Sequence, residues 1–474
     1  MDDRYLQVPN IKGSDLSLSS IESSDSYDQD QSYSSIYDCW NKLLDLFNDE
    51  RKENDSEKID KLLKNIKPFA KKRLEYENSM LHLAVEEDNS EMVKSLASIV
   101  DDINLRNRNK DTPLHLAIKH NNIQIVNDLI RLGSDVNVRN KDGYTPIYLA
   151  LINDRINLVN ILIEAGASVN VTNNEGISLL YLAIKKNDIG LLNALINAGA
   201  NIDGIDKDGT PFLHLAIKQN NTEVVNLLLS LFPNLSAIDN GGNTALHLAV
   251  LQGNIVIVND LLFVGSNINA INNDGNTPLH LAVRQSNKDI VNMLIGQGCD
   301  INVVNNNSNT PLHLAMTQYS IDIVDSLITK TSCLNDSLNK DGNSPLHLAV
   351  KNDSSRIISY LFKDKTRQNK FISSLEIINK DGNTPLHLAV RNRNIEVCRY
   401  LIRSGSNINA TDKDGNTPLH LIAQNNDIKI YNELIKSHAD IYAVNKNKQT
   451  PLLLAVECNS VDIINALNKK IKYN

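Results

Sequence analysis

Nine of the eleven histidines fall at one recurring position: His82, His115, His214, His247, His280, His313, His347, His387 and His420. Imidazoles in such number suggest zinc ligation or general acid–base work near neutral pH. Their spacing argues against both. His214, His247, His280 and His313 follow one another at intervals of 33 residues. Same-slot residues of stacked units lie roughly 8–10 Å apart, one helix-packing distance, whereas zinc sits roughly 2 Å from each nitrogen it binds. No P-loop, dinucleotide-binding glycine fingerprint, nucleophile elbow or His-Glu-x-x-His stretch occurs, and Gly242-Asn243-Thr244 is turn chemistry rather than a phosphate cradle. No catalytic residue, metal ligand or cofactor site is assigned, and the chain is not expected to be an enzyme.

What positions the histidines is the stretch Asp274-Gly275-Asn276-Thr277-Pro278-Leu279-His280-Leu281-Ala282-Val283, which recurs along most of the chain. Its copies, numbered by the Thr-like position, stand at Ser79, Thr112, Thr145, Ser178, Pro211, Thr244, Thr277, Thr310, Ser344, Thr384, Thr417 and Thr450. Successive spacings are 33 residues seven times, then 34, 40, 33 and 33. So steady a period means one supersecondary unit per repeat, burying its apolar face against its neighbours. Within a unit, Asp-Gly makes a tight turn, Thr277 is placed to cap a helix and Pro278 follows at its first position. Eight of the twelve prolines occupy this slot, so they start helices rather than break them. Leu279, Leu281, Ala282 and Val283 give a short first helix. Asn121, Asp154, Asn187, Asn220 and Gly253 follow in their own units as types that tolerate the left-handed conformation ending a helix. Ile395, Val397, Leu401 and Ile402 show the apolar spacing of a second helix, which Gly405 ends.

These features resemble the ankyrin repeat, with its Thr-Pro-Leu-His-x-Ala signature and 33-residue period. The resemblance covers residues 77–474, with units from 77–106 and 110–139 through to 415–444 and 448–474. Ser79-Met80, Ser178-Leu179, Pro211-Phe212 and Thr244-Ala245 depart from Thr-Pro, and Tyr148, Tyr181 and Leu453 stand in place of the histidine. The resemblance implies an all-α repeat solenoid of about twelve helix-turn-helix units with protruding hairpin loops. It also implies a structural histidine, bonded within its turn and to a neighbouring unit, and the binding of another protein along the concave side. Ankyrin units can also be substrates of asparaginyl hydroxylases, and the resemblance makes Asn137 or Asn170 in the loop tails the candidates here.

The net charge of −8 argues against a general binder of phosphate backbones, which would need a basic stripe. Nowhere do 18 apolar residues run together and the first residues lack a signal-peptide pattern, so no membrane or export route is expected. Cys39, Cys299, Cys333, Cys398 and Cys458 are an odd, scattered set without metal-ligand spacing. They imply reduced thiols and a cytoplasmic setting. Heavy use of Asn, Ile and Lys resembles the long ankyrin arrays of intracellular bacteria and large DNA viruses, and leaves delivery into a host cell open.

Residues 1–35 are acidic and Ser-rich and are expected to be disordered, with Tyr27 and Tyr33, followed by Tyr37, as candidate phosphorylation sites. Residues 36–76 carry Trp40, Leu43, Leu44, Phe47, Ile59, Leu62, Leu63 and Ile66 at helical spacing, which predicts a helical N-terminal cap, an F-box-like recruiting helix being the alternative. The excess before Thr384 lies within 362–379, where Lys363, Lys365, Arg367 and Lys370 predict a basic loop.

The two residues at the end of each first helix are expected to face the partner: Lys119-His120, Ile152-Asn153, Lys185-Lys186, Lys218-Gln219, Leu251-Gln252, Arg284-Gln285, Lys351 and Arg391. Both ends of the series, Glu86-Glu87 and Glu457, are acidic, while its middle is basic and amide-rich. The expectation is a monomeric scaffold or adaptor whose central units hold an acidic or polar segment of a protein partner, with Ile152 and Leu251 as apolar anchors. A structural spacer holding two modules apart is the alternative.

Overall fold

Most units begin with a hydroxyl that takes up a helix N–H, Pro211 holding the slot in one of them. Thr277 adopts extended backbone (φ −83°, ψ 166°), its hydroxyl accepts from the His280 N–H, and Pro278 opens the helix Pro278–Arg284. The residue nine places after the capping slot then turns left-handed, from Asp88 (φ 57°) through Asn121 (φ 59°) and Gly253 (φ 70°) to Asn459 (φ 56°). The next residue caps the second helix, a role the sequence reading did not assign. Asn254 accepts from Val256 N and Ile257 N at 3.1 Å, and Asn122 accepts from Ile125 N at 2.8 Å. Caps of this kind satisfy N–H groups that a helix start leaves open.

The computed structural model describes residues 38–47, 55–67, 78–330 and 337–472. The acidic tail with its tyrosines lies outside them. The chain divides into two compact units, Met1–Ser168 and Val169–Asn474. In the first, helices 38–47 and Asp55–Ile66 bury Trp40, Leu43, Ile59, Leu63 and Ile66. Three helix pairs follow, Met80–Glu86 with Ser90–Ala97, Pro113–Lys119 with Ile123–Arg131, and Pro146–Ile152 with Ile156–Glu164. The second unit holds nine described pairs, from Leu179–Lys186 with Ile189–Asn197 to Pro451–Glu457 with Val461–Lys472. Its core rests on one small residue per first helix, such as Ala216, Ala249, Ala282, Ala315 and Ala349, all fully buried. A larger side chain there would hold neighbouring helices apart. Among the described residues there is no β-strand, only single bridges at Thr172–Ser178 and Ile205–Pro211.

The 362–379 excess is not a loop. It folds into the helix Lys365–Phe371 and a short turn of helix, Ser373–Leu375, because Phe371 and Leu375 find buried places. The Arg367 guanidinium lies 4.0 Å from the centre of the Tyr360 ring and 3.8 Å from Asp325. Tyr360 donates its hydroxyl to Asp325, and the Lys370 ammonium donates to the Ile328 carbonyl. Two of the four cations expected to be presented are thus turned back onto the preceding repeat.

Candidate partner-binding surface

The surface is carried by a buried polar lattice that fixes each hairpin against the next. In the Thr277 unit, the Thr277 N–H (3.2 Å) and hydroxyl (2.8 Å) donate to His280 Nδ1, while Nε2 donates 3.0 Å to the Asn309 carbonyl of the following unit. A carbonyl can only accept, so the bond at Nε2 fixes the tautomer and leaves Nδ1 the acceptor. His82, His247, His313, His347, His387 and His420 repeat the pattern. With both nitrogens engaged these rings have nothing left for a metal or a substrate proton. Burial pushes His313 down to about 4 against the opposing pull of the Asn343 and Ser337 carbonyls, and it lowers His115, His214, His247, His280, His347, His387 and His420 in the same sense.

An asparagine ladder runs beside the histidines. The residue five places before the capping slot donates its amide to the residue just before the previous one: Asn272 to Asn243, Asn305 to Asn276 and Asn445 to Asn416 at 2.9 Å, Asn379 to Asn343 at 3.0 Å and Asn339 to Asn309 at 3.2 Å. The hairpin backbones are tied as well, Asn273 N to Gly241 O at 3.0 Å, Asn306 N to Asp274 O at 2.9 Å and Lys340 N to Asn307 O at 3.0 Å. Gly242 shows how close this packing is, since at φ +72° a Cβ would lie 2.8 Å from Asn273 N. The tails of the hairpins are joined in the same way. Asn137 donates to the Gly166 carbonyl and accepts from Ser168 N, and Asn170 does so with Gly199 and Asn201.

The first-helix ends do not behave uniformly. In the Met1–Ser168 unit, Lys119 lies 2.5 Å from the buried Asp111 carboxylate, His120 is exposed, Ile152 is half-buried and Asn153 donates to the Leu149 carbonyl of its own helix at 2.8 Å. In the Val169–Asn474 unit, Lys185 stands 5.9 Å over the Tyr181 ring, Lys186 and Leu251 are half-buried and Gln252 is exposed. Gln219 and Gln285 donate to the Lys185 and Leu251 carbonyls of the preceding repeats at 3.4 and 2.8 Å. Lys218 is 4.0 Å from Asp239 and Arg391 is 3.3 Å from Asp412, each a carboxylate in the following hairpin. Burial pushes Asp239 up, but bonds from the Asn243 N–H and side-chain amide, the Gly241 N–H and nearby Lys218 outweigh it and hold the carboxyl below its ordinary value. Arg284 and Lys351 are exposed and have no ion pair among the described residues.

Sequence reasoning missed one column. Six places before the capping slot stand Ile205, Ile238, Ile271, Val304, Leu338 and Ile378, every one exposed. Reading the hairpins slot by slot, as was done for the helix ends, would have found them. The remaining reactive groups are unremarkable: burial pushes the Cys299 and Cys398 thiols up to about 11 and about 12, which keeps them protonated and inert. Among the described residues no group of His, Cys, Asp and Glu could hold a metal ion, and no helix is long and apolar enough to cross a membrane.

A family model of ankyrin repeats, three copies long, matches residues 52–140, 81–173, 180–272, 246–336, 280–372, 320–412 and 402–474. Among solved structures, the crystal structure of the ankyrin repeat domain of Bcl-3, described as a unique member of the IkappaB protein family, is similar at 28% identity with a TM-score of 0.43. The match covers 48% of this chain and all of that one. A comparison with curated proteins found no match.

Proposed function

We propose a protein-binding scaffold as the function of this chain, which belongs to the ankyrin repeat family, a family of non-catalytic protein-interaction modules. The partner contacts the first-helix ends and the hairpins beside them. The observation that carries this reading is a division of labour within each repeat. Buried His and Asn groups are consumed in bonds to the neighbouring repeat and the capping Thr in bonds to the histidine of its own, whereas the helix ends change chemistry from one repeat to the next. Arg284 and Lys351 are exposed cations with no carboxylate partner among the described residues, so they are free to meet an acidic segment without breaking an internal pair. Lys119, Lys218 and Arg391 already hold Asp111, Asp239 and Asp412 and would contribute less. The free thiols of Cys39, Cys299, Cys398 and Cys458 support a cytosolic setting.

Affinity capture with the full chain, beside a full-length Arg284→Glu/Lys351→Glu variant, tests the reading. A partner held by the native chain and lost with the folded variant supports it. Equal recovery with both would remove these helix ends from the interface.

A further inference from the structure

Ile205, Ile238, Ile271, Val304, Leu338 and Ile378 form an aliphatic column across six consecutive hairpins of the Val169–Asn474 unit, exposed by between 43% and 61%. Extended backbone favours β-branched residues, but Thr172 and Thr411 fill the same slot elsewhere and would satisfy that preference without exposing hydrocarbon. Scattered apolar side chains on a surface mean little; a continuous column marks a contact.

The neighbours of the column say what fits it. Lys218 reaches Asp239, the residue beside Ile238, and Arg391 reaches Asp412, the residue beside Thr411, so a cation at this helix end comes alongside the column in the next hairpin. After Arg284 and Lys351 that acidic position is held by Asn305 and Asn379 instead. By the same register Arg284 and Lys351 fall in line with Val304 and Ile378, and neither has an ion-pair partner among the described residues. Exposed amides at Asn240, Asn273 and Asn306 line the hairpin tips; each donates one N–H to a carbonyl of the preceding hairpin, at Asp208, Asn240 and Asn273, and keeps a second N–H and its oxygen for a partner.

Spacing narrows the shape of the occupant. Packed helices repeat at about 8–10 Å, and the hairpin-to-hairpin hydrogen bonds keep the column in step with them. A polyproline-II segment returns to the same face every three residues, an advance of about 9.3 Å. A β-strand returns at about 6.7 Å and again at about 13 Å, out of register with the repeats. An α-helix comes close to register every seven residues, at about 10.5 Å, but it has spent its backbone groups internally and would leave the amide row unused.

We propose that this column is a docking track for an extended, polyproline-II-like segment of a partner protein, with an aliphatic residue or proline at every third position and acidic residues facing Arg284 and Lys351. It rests on the scaffold reading above and names the chemistry of the partner.

The test is fluorescence anisotropy on the full chain with a labelled synthetic peptide of about 18 residues, enough for six three-residue turns. One peptide keeps an aliphatic residue at every third position with glutamates between; a second scrambles the same composition; a third carries a heptad helical pattern. The periodic peptide is expected to bind at least about tenfold more tightly than the scrambled one. The variant Ile238→Thr/Ile271→Thr/Val304→Thr, which uses the residue found at Thr172 and Thr411, should keep its circular dichroism and lose at least about tenfold in affinity. Arg284→Gln/Lys351→Gln should weaken binding and flatten its salt dependence. Equal binding of periodic and scrambled peptides, undiminished binding by the threonine variant, or preference for the heptad peptide would each overturn the proposal. If captured partners are lost with Arg284→Glu/Lys351→Glu but kept with the threonine variant, the scaffold reading stands and the track falls.

Discussion

The repeat that holds His280 and the repeat that holds His214 share a backbone but not a bonding pattern. His280 Nδ1 accepts from both the N–H and the hydroxyl of Thr277. At the corresponding capping position His214 meets Pro211, which has neither, and its buried Nδ1 has no hydrogen-bond partner. The bond of Nε2 to the next repeat survives in both, 3.0 Å to Asn309 and 2.9 Å to Asn243. The sequence around Pro211 explains the difference: Thr210-Pro211 sits one place earlier relative to the histidine than Thr277-Pro278 does, and Phe212 occupies the proline slot. Phe212 then uses the N–H a proline would lack, donating to the Gly204 carbonyl at 3.0 Å, and its ring lies where a Cβ on Gly204 would be. Between these two repeats the bond to the next repeat is kept while the bond within the turn is lost at His214.

That asymmetry can be broken experimentally, with the largest effect at the intact repeat. His280→Leu strands the buried Thr277 N–H and the Asn309 carbonyl and should cost about 3 kcal/mol, whereas His214→Leu strands only the Asn243 carbonyl and should cost about 1 kcal/mol. Urea unfolding of the two full-length variants measures both; equal losses would show that the Nδ1 bonds carry no stability. Acid should act in the same direction. His313 is held near 4 when folded against about 6.5 unfolded, so its contribution is complete above pH 6.5 and disappears as pH falls toward 4. For this ring alone that amounts to about 3 kcal/mol, and the lowered values of His247, His280 and His347 add to it. Thermal melts between pH 7 and pH 5 should show a steady fall, and a flat profile would refute it. By NMR His214, with no Thr N–H opposing a proton on Nδ1, should protonate at higher pH than His313.

A smaller effect of opposite sign is expected from Pro211→Thr. Pro211 sits at φ −61°, ψ 146°, close to the capping geometry of its threonine counterparts, so the new residue fits and offers both donors to His214. The gain of about 1–2 kcal/mol is partly offset by about 0.4–1 kcal/mol for losing a proline that restricts the unfolded chain. A urea midpoint lower than that of the native chain would show that the Phe212–Gly204 arrangement excludes the ordinary cap.

The repeating unit was legible because its chemistry is local. Thr277, Pro278 and the left-handed residue at Asn121 each act on their own turn, and twelve copies make the pattern plain. The insertion was read as a loop because Lys363, Lys365, Arg367 and Lys370 drew attention away from Phe371 and Leu375, whose four-residue spacing places them on one face. The helix-end cations were found, but not that Asp239 and Asp412 would claim two of them, since those carboxylates come from the next hairpin, about twenty residues on. The aliphatic column escaped for the same reason: its members are neighbours only after the hairpins stack.

The smallest predicted effect sharpens the comparison at a second flaw in the lattice. Asp412 stands where most repeats have an asparagine, Asp206 and Asp239 being the other aspartates in that slot, and having no N–H to give, it leaves the buried Oδ1 of Asn383 without a partner. Arg391 compensates at 3.3 Å, but its side chain is nearly half exposed, which limits such a pair to about 1 kcal/mol or less. Asp412→Asn would restore the rung, as Asn379 does for Asn343 at 3.0 Å, and would keep the acceptor for Asp414 N and Asn416 N. It would also release Arg391. At low salt the two changes nearly cancel, so stability should move by no more than about 0.5 kcal/mol. At about 1 M salt the ion pair is screened and the amide bond is not, so the variant should then be the more stable by about 0.5–1 kcal/mol. Urea titrations at both salt concentrations decide it. A variant less stable than the native chain at both would mean that Arg391 and Asp412 hold the two hairpins more firmly than an asparagine rung can.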